Sequence, residues 1–268
     1  MESKSCVHSI YRHLVKGLRQ ESLEETTIKD GGSIPGDRAF AFQYLDTPSD
    51  TPEETAPWIS KKNLVNQHDW PSLAEIRPSW NEESNCLSLV NEMTKKAIHE
   101  DISEIEARDR LANFVWDNLS RTKPFSKAYH PELTPLRLIG NSSPQNRYTD
   151  GSKGPISLAL VESLKDLESK FRHSVDERRF RLNLFLAGAP AWSELSWAGR
   201  RLQIGSVVLE IYKPLARCPN IDVDQNTGER VDPIFSTYKE KLGHTLFGVK
   251  ATVIQGGVIK INDAWNLL

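Results

Sequence analysis

The chain has 268 residues, 38% hydrophobic and 26% charged, with 15 Gly and 15 Pro, a composition that excludes collagen-like, coiled-coil and wholly disordered classes. At this length roughly 70–75% of the unfolded surface can be buried, so a self-sufficient core in one large domain or two small ones is expected. Thirty-four Lys plus Arg against 36 Asp plus Glu leave a net charge of −2, which argues against the broad basic face that nucleic-acid binding needs.

The first residues, MESKSCVHSIYRHLV, hold no long apolar core ahead of a small-residue cleavage site, and no window of the chain is uninterruptedly apolar over a membrane's thickness. A cytoplasmic protein without a membrane span is the expectation. Val7 to Val15 is β-rich, and Ala39 to Tyr44 reads as a second strand after the glycine- and proline-marked turn Gly31 to Gly36. Asp46 to Pro57, DTPSDTPEETAP, is acidic and proline-interrupted and reads as a solvated insertion rather than a lid or partner site.

From Lys95 to Leu119 the period changes. Ile98, Ile102, Ile105, Ala112, Val115 and Leu119 fall at helical spacings, which predicts one or two amphipathic helices stopped by Pro124. Ser157 is placed to cap a second helix whose Leu160, Leu164, Leu167 and Phe171 share a face, with Glu162 and Lys165 toward solvent. Both stripes read as core. Beyond Arg181 the chain turns β again: Leu182 to Ala187 is a short apolar run, Arg201 to Ile204 and Val207 to Ile211 flank Gly205-Ser206 as a hairpin, and Val249 to Ile254 and Val258 to Ile261 flank Gln255-Gly256-Gly257. Strands enclosing a helical middle predict an α+β fold with a barrel-like or strongly bent sheet, its C-terminal strands completed by N-terminal ones.

Several chemistries lack their motifs. No phosphate loop, dinucleotide fingerprint, nucleophile elbow or His-Glu-x-x-His is present. Asp222 to Asn226 imitates the start of a calcium loop, but Thr227 replaces the required glycine and Pro233 the closing Glu, so Asn226-Thr227-Gly228 reads as a tight turn. The seven histidines share no metal-ligand spacing. Cys6, Cys86 and Cys218 are odd in number and widely spaced, which predicts no disulfide framework and a reducing compartment. Three thiols are also too few for the usual four-thiolate iron–sulfur cluster. What remains is a set of polar residues at strand ends: Lys16-Gly17, Asp37-Arg38, Arg181-x-Asn183 and Arg217-Cys218-Pro219. Singly, Lys16 and Arg38 read as surface cations and a lone Cys as a small buried residue. Cys218 stands out because Lys213 and Arg217 are near, and cations make a thiolate available as ligand or nucleophile.

The segments Ile10 to Gly17, Gly36 to Phe40, Phe180 to Leu184, Arg217-Cys218 followed by Thr227-Gly228, and Leu246 to Val249 resemble, in order, the signature blocks of MOSC-domain proteins. The likeness runs nearly end to end and is nearest to the amidoxime-reducing component group. It implies an N-terminal MOSC-type β-rich region with a helical insert over 1–140 and a C-terminal MOSC domain over 141–268. It further implies a molybdenum cofactor (molybdopterin), with Cys218 as the metal ligand and catalytic centre. Lys16, with Gly17 beside it, Arg38 and Arg181 would surround the phosphate and pterin, Asn183 would meet the pterin edge, and Gly151 and Ser152 match a loop near the cofactor. Arg217 matches the neighbour of the ligand Cys. Two positions depart from the pattern: Ala216 stands where reductase members often carry a polar residue, and Lys250 where they carry Tyr. Lys250 pairs with the phosphate or is a solvated strand lysine.

The implied activity is an oxidoreductase that reduces N-hydroxylated or N-oxygenated small molecules. Some relatives carry a ferredoxin domain after the last MOSC strand, where this chain ends at Leu268, so electrons are expected from a separate ferredoxin- or cytochrome-type donor protein. The alternatives are a non-redox cofactor or sulfur carrier with a persulfide on Cys218, and a degenerate member that binds nothing. A family-level association with pyridoxal phosphate also comes with the resemblance.

Overall fold

The computed structural model describes residues 5–45, 61–122, 136–142, 148–151, 153–230 and 233–268. The acidic stretch 46–57, Pro124 and Ser152 lie outside them. The N-terminal strands are β1 (Cys6–Arg12), β2 (Glu21–Leu23), β3 (Glu25–Ile28) and β4 (Phe40–Tyr44). They are followed by β5 (Ile76–Asn81), β6 (Cys86–Asn91), β7 (Ala97–Asp101), helix α1 (Ile105–Leu119) and β8 (Leu136–Gly140). The C-terminal part holds β9 (Ile156–Leu160), α2 (Val161–Phe171), β10 (Leu184–Ala187), β11 (Arg201–Ile204), β12 (Val207–Ala216), α3 (Ile234–Leu242), β13 (Leu246–Gln255), β14 (Gly257–Lys260) and β15 (Trp265–Leu267).

Eight strands form one sheet in the order β15-β11-β12-β13-β9-β10-β1-β2. Only β9 and β10, at its middle, run parallel, and both are apolar on two faces, as a strand covered from both sides requires. The two-residue period sorts them: Leu158, Leu160, Leu184 and Leu186 enter one core cluster, while Ala159 and Phe185 enter another, packed with Leu164 and Leu167 of α2 and Ile234 and Tyr238 of α3. The first cluster is roofed by the antiparallel pair β3–β14 through Ile28 and Ile259. A separate layer combines the β4–β8 pair, the meander β5-β6-β7 and α1 around Leu14, Phe40, Leu73, Leu89, Leu111 and Leu138.

N-terminal strands do complete the C-terminal set: β1 pairs with β10, and β3 with β14. No continuously closed barrel is found among the described residues, but the sheet bends far enough for Cys6 of β1 to bridge Ala264 just ahead of β15, with the Val7 N–H donating to the Asp263 carbonyl at 2.9 Å and the Val7 carbonyl accepting from the Asn262 N–H at 2.9 Å. Its last hairpin is not formed, because β14 leaves β13 for β3. Gly256 and Gly257 permit that path, since a Cβ on them would collide with the Ile28 carbonyl and the Ser206 hydroxyl.

Two helix boundaries differ from expectation. Ala97–Asp101 is a strand laddered to β6, with His99 opposite Ser88; Ile98 and Ile102, four apart, satisfy the helical and the two-residue period alike. Ser157 caps nothing. It lies within β9 and bonds Asn183, and α2 begins at Val161 without a side-chain cap. The calcium-like stretch is a turn: Asp224 accepts the Asn226 and Thr227 N–H groups, and Gly228 takes φ 68°.

Gly248 (φ 72°) packs its α-carbon against β9, and an added Cβ would strike the Leu158 carbonyl oxygen. Gly248→Ala is therefore expected to lower unfolding free energy by about 2 kcal/mol or more. Urea denaturation checks this, and an unchanged midpoint would contradict the packing described.

Candidate anion-binding crevice at Cys218

The site starts where β1 ends. Val15 bridges Phe40, and Gly17 at φ 85° turns the chain so closely beneath residues 65–73 that a Cβ would sit 3.0 Å from the Val65 carbonyl oxygen. That turn leaves Lys16 only 8% exposed, its Nζ donating to the Tyr148 carbonyl at 3.0 Å and Asp150 at 2.5 Å. Burial lowers the Lys16 pKa and Arg38 and Arg181 push the same way, while Asp150 opposes.

Arg38 and Arg181 share an uncommon backbone state, φ 54° and 51°. For non-glycine residues this conformation is strained by about 1–2 kcal/mol and gathers at functional sites. Arg38 donates its N–H to the His13 carbonyl, its Nη1 to Asp37 at 2.5 Å and its Nη2 to the Arg181 carbonyl at 3.3 Å. Arg181 Nη1 reaches the Leu18 carbonyl at 3.0 Å. Burial first, and the Arg38 charge next, bring the Arg181 pKa down to about 9.

Two more cations come from the far side. Arg217, just past β12, donates to the Phe180 carbonyl and lies with its guanidinium 6.0 Å from the Phe180 ring centre. Its Nε is buried without a hydrogen-bond partner, and its pKa is lowered, chiefly by burial. Lys250 stands directly across from Lys213 in the β12–β13 ladder, a like-charge pairing that costs stability. Its Nζ has one long bond, 3.3 Å to the Lys153 carbonyl. Burial lowers its pKa, with Arg38, Lys213 and Lys16 adding to the effect. Gly151 and Gly154 face it: a Cβ on Gly151 would lie 3.5 Å from Lys250 Nζ, and one on Gly154 2.8 Å from Lys250 Cβ. Arg38 and Asp150 thus lie within electrostatic range of each of Lys16, Arg181, Arg217 and Lys250, with Asp37 as a second carboxylate beside Arg181. Cations in such excess, partly desolvated, form an arrangement that an anion completes.

Cys218 is exposed and opens the 3-10 turn Pro219–Asp222, beside Arg217. Its position depends on Arg230, a residue that no sequence motif marks. Arg230 donates Nη1 to the Pro219 carbonyl and Nη2 to the His68 carbonyl at 3.0 Å, and lies 3.5 Å from the Asp222 carboxylate. Gln225 Nε2 donates to Gln67 at 3.2 Å, and Arg19 holds the Gln225 carbonyl at 2.6 Å. Segment 219–230 is thereby strapped to the layer around residues 64–75.

The remaining sequence candidates divide. Gly151 joins the crevice, and Ser152 lies outside the described residues. Asn183, 1% exposed, commits its amide inside the sheet: Oδ1 accepts from Ser157 N–H (3.1 Å) and Oγ–H (2.8 Å), and Nδ2 donates to the Tyr11 carbonyl at 3.3 Å. It braces β1, β9 and β10. Gly17 acts through its turn. Cys6 and Cys86 are half-buried on β1 and β6. Among the described residues no helix is long and apolar enough to cross a membrane, and no group of three His, Cys, Asp or Glu gathers to hold a metal ion.

Residues 145–266 match the MOSC domain family. A molybdenum cofactor sulfurase of Drosophila persimilis is 33% identical over 131 residues, 45% of this chain and 16% of the relative. A molybdenum cofactor sulfurase of Oryza sativa subsp. japonica is 29% identical over 119 residues, 39% of this chain and 14% of the relative. Mitochondrial amidoxime reducing component 2 of Bos taurus is 28% identical over 131 residues, 44% of this chain and 38% of the relative. The chain spans well under half the length of each of these proteins. Among solved structures, the YUAD protein from Bacillus subtilis aligns over 98% of this chain and 95% of its own with TM-score 0.48 and 13% identity.

Two outcomes are expected from the site's geometry. Arg230→Met removes charged hydrogen bonds worth ~1.5–3 kcal/mol, so amide exchange in 219–228 accelerates about 10–100-fold; unchanged exchange would show that another contact holds the loop. Burial first, and the charges of Arg38, Arg181 and Arg217 after it, keep the His13 pKa well below the ordinary 6.5. The unfolded chain then binds the extra proton, so stability is full above pH 6.5 and falls below it by up to ~1.4 kcal/mol per pH unit. His13→Gln flattens that decline in urea midpoints compared at pH 7.5 and 5.5.

Proposed function

We propose that the chain, whose residues 145–266 match the MOSC domain family, binds a molybdenum cofactor in the cationic crevice, with Cys218 as the protein ligand of the metal. The observation that carries this is the convergence of Lys16, Arg38, Arg181, Arg217 and Lys250 beside an exposed thiol. The donor set fits such a group. Two guanidinium forks and two ammonium groups suit a phosphate, the partnerless Arg217 Nε is a donor awaiting an acceptor, and a thiolate is the soft ligand molybdenum takes. The proposed division into 1–140 and 141–268 has the first part supplying Lys16 and Arg38, and the second Gly151, Arg181, Arg217, Cys218 and Lys250.

The proposed reaction is the reduction of N-hydroxylated or N-oxygenated small molecules in the cytoplasm, with electrons from a separate ferredoxin- or cytochrome-type protein. The cofactor, when bound, supplies the two-electron chemistry. The chain's own residues do the rest. Arg38 and Arg181, fixed by Asp37 and by backbone carbonyls, orient the anion; Asp150 holds Lys16 in a charged, directed state; Arg217 and the Arg230 strap fix where the thiol stands. Relatedness to a protein named amidoxime reducing component supports this reading. The exposure of Cys218 and relatives named molybdenum cofactor sulfurase favour a second, a sulfur carrier using a persulfide on that residue.

Expression in a host that makes the cofactor tests the first reading. Wild type is expected to carry molybdenum, and Cys218→Ala to lose most of it; equal metal in both would sink the assignment. Intact-mass spectrometry decides the second, since a sulfur adduct lost on reduction and absent from Cys218→Ala marks the carrier.

A further inference from the structure

His13 sits between the end of β1 and Lys16, fully buried. Its Nε2 lies 3.2 Å from the Leu182 carbonyl, an acceptor only, so Nε2 carries the hydrogen and Nδ1 bears the lone pair. Nδ1 is buried and has no hydrogen-bond partner. Three guanidinium groups act on the ring from three separate segments: Arg38 ahead of β4, Arg181 ahead of β10 and Arg217 at the end of β12. Asp37 takes the His13 backbone N–H at 2.7 Å together with Arg38 Nη1, and the adjoining Arg12 is paired with Glu21.

We propose that seating an oxyanion among Arg38, Arg181 and Arg217 is coupled to uptake of one solvent proton at His13 Nδ1, which makes His13 a further residue of the anion site. The inference rests on the cofactor-binding reading and specifies how its anion, a phosphate or sulfate group, is held. Protonation at Nδ1 breaks no existing bond, because that atom has none. What opposes it is first the loss of solvent and then the field of the three guanidiniums. An anion between those groups offsets that field and leaves the burial unchanged, so protein with anion bound holds the proton to a higher pH than free protein does. By linkage, whatever makes the proton bind better once the anion is seated makes the anion bind better at lower pH, by at most tenfold per pH unit for one proton.

Inorganic sulfate is the probe, because it does not itself titrate near neutrality. Calorimetry on the full chain without cofactor, between pH 7.5 and 5.5, is expected to show a several-fold gain in sulfate affinity as pH falls. Heats measured in buffers of different ionisation enthalpy are expected to show net proton uptake at pH 6. His13→Gln should bind sulfate with neither effect. Because that variant alters a buried position, ring nitrogen-15 spectra of the wild type give an independent reading: His13 should pass from a single Nε2–H to a doubly protonated ring on adding sulfate. Flat affinity and no proton uptake in the wild type, or the same pH trend in His13→Gln, overturns the coupling and leaves the anion site standing. If sulfate binds at no pH tested, the anion site fails and the coupling with it.

Discussion

The pairing of β1 with β10 is the constraint on which the crevice depends. Register Ile10 to Leu184 brings the chain leaving β1 and the chain entering β10 side by side, so that His13, Lys16 and Arg181 meet although 165 positions separate Lys16 from Arg181 in the sequence. Asn183 locks that junction by bonding Ser157 on one side and Tyr11 on the other. The Tyr11 N–H closes it, donating to the Asn183 carbonyl at 2.7 Å. A slip of one residue would turn every side chain of β1 to the opposite face, burying the wrong residues and scattering the cations.

Charge works against the fold at this place. Like charges held in a low-dielectric setting repel, and two of the arginines also keep a left-handed backbone. Asp37 and Asp150 offset part of the cost, and backbone carbonyls of Leu18, Phe180 and Arg181 accept from the guanidiniums. Stability given up in one location while the surrounding sheet is well packed is the pattern expected where binding, and not folding, has set the residues.

Legibility in the sequence followed the physics of each element. The strands of the C-terminal hairpin could be read because Gly205-Ser206 separates two β-rich runs, and the stripe Leu164, Leu167 announced α2. Ile98 and Ile102 misled because a spacing of four suits both periods, and only the ladder to β6 decides between them. β5 carries Arg77, Pro78 and Asn81, residues that blur alternation. The crevice cations were individually unremarkable and were linked only through the family resemblance. Arg230 left no mark at all, because its partners are mostly main-chain carbonyls, Pro219 and His68, whose identity does not depend on side-chain type.

The pairing of β3 with β14 carries a consequence for synthesis. Thr26 pairs with Ile259 and Ile28 with Gly257, so β3 has no ladder partner until residues 257–260 have been joined. At about 5–20 residues per second on a ribosome, that interval is roughly 10–50 s. Throughout it β3, with Ile28 otherwise destined for the core, presents an open edge in the nascent chain. Its other residues are Glu25, Thr26 and Thr27, and that polarity is a safeguard against pairing with a neighbouring nascent chain on the same message.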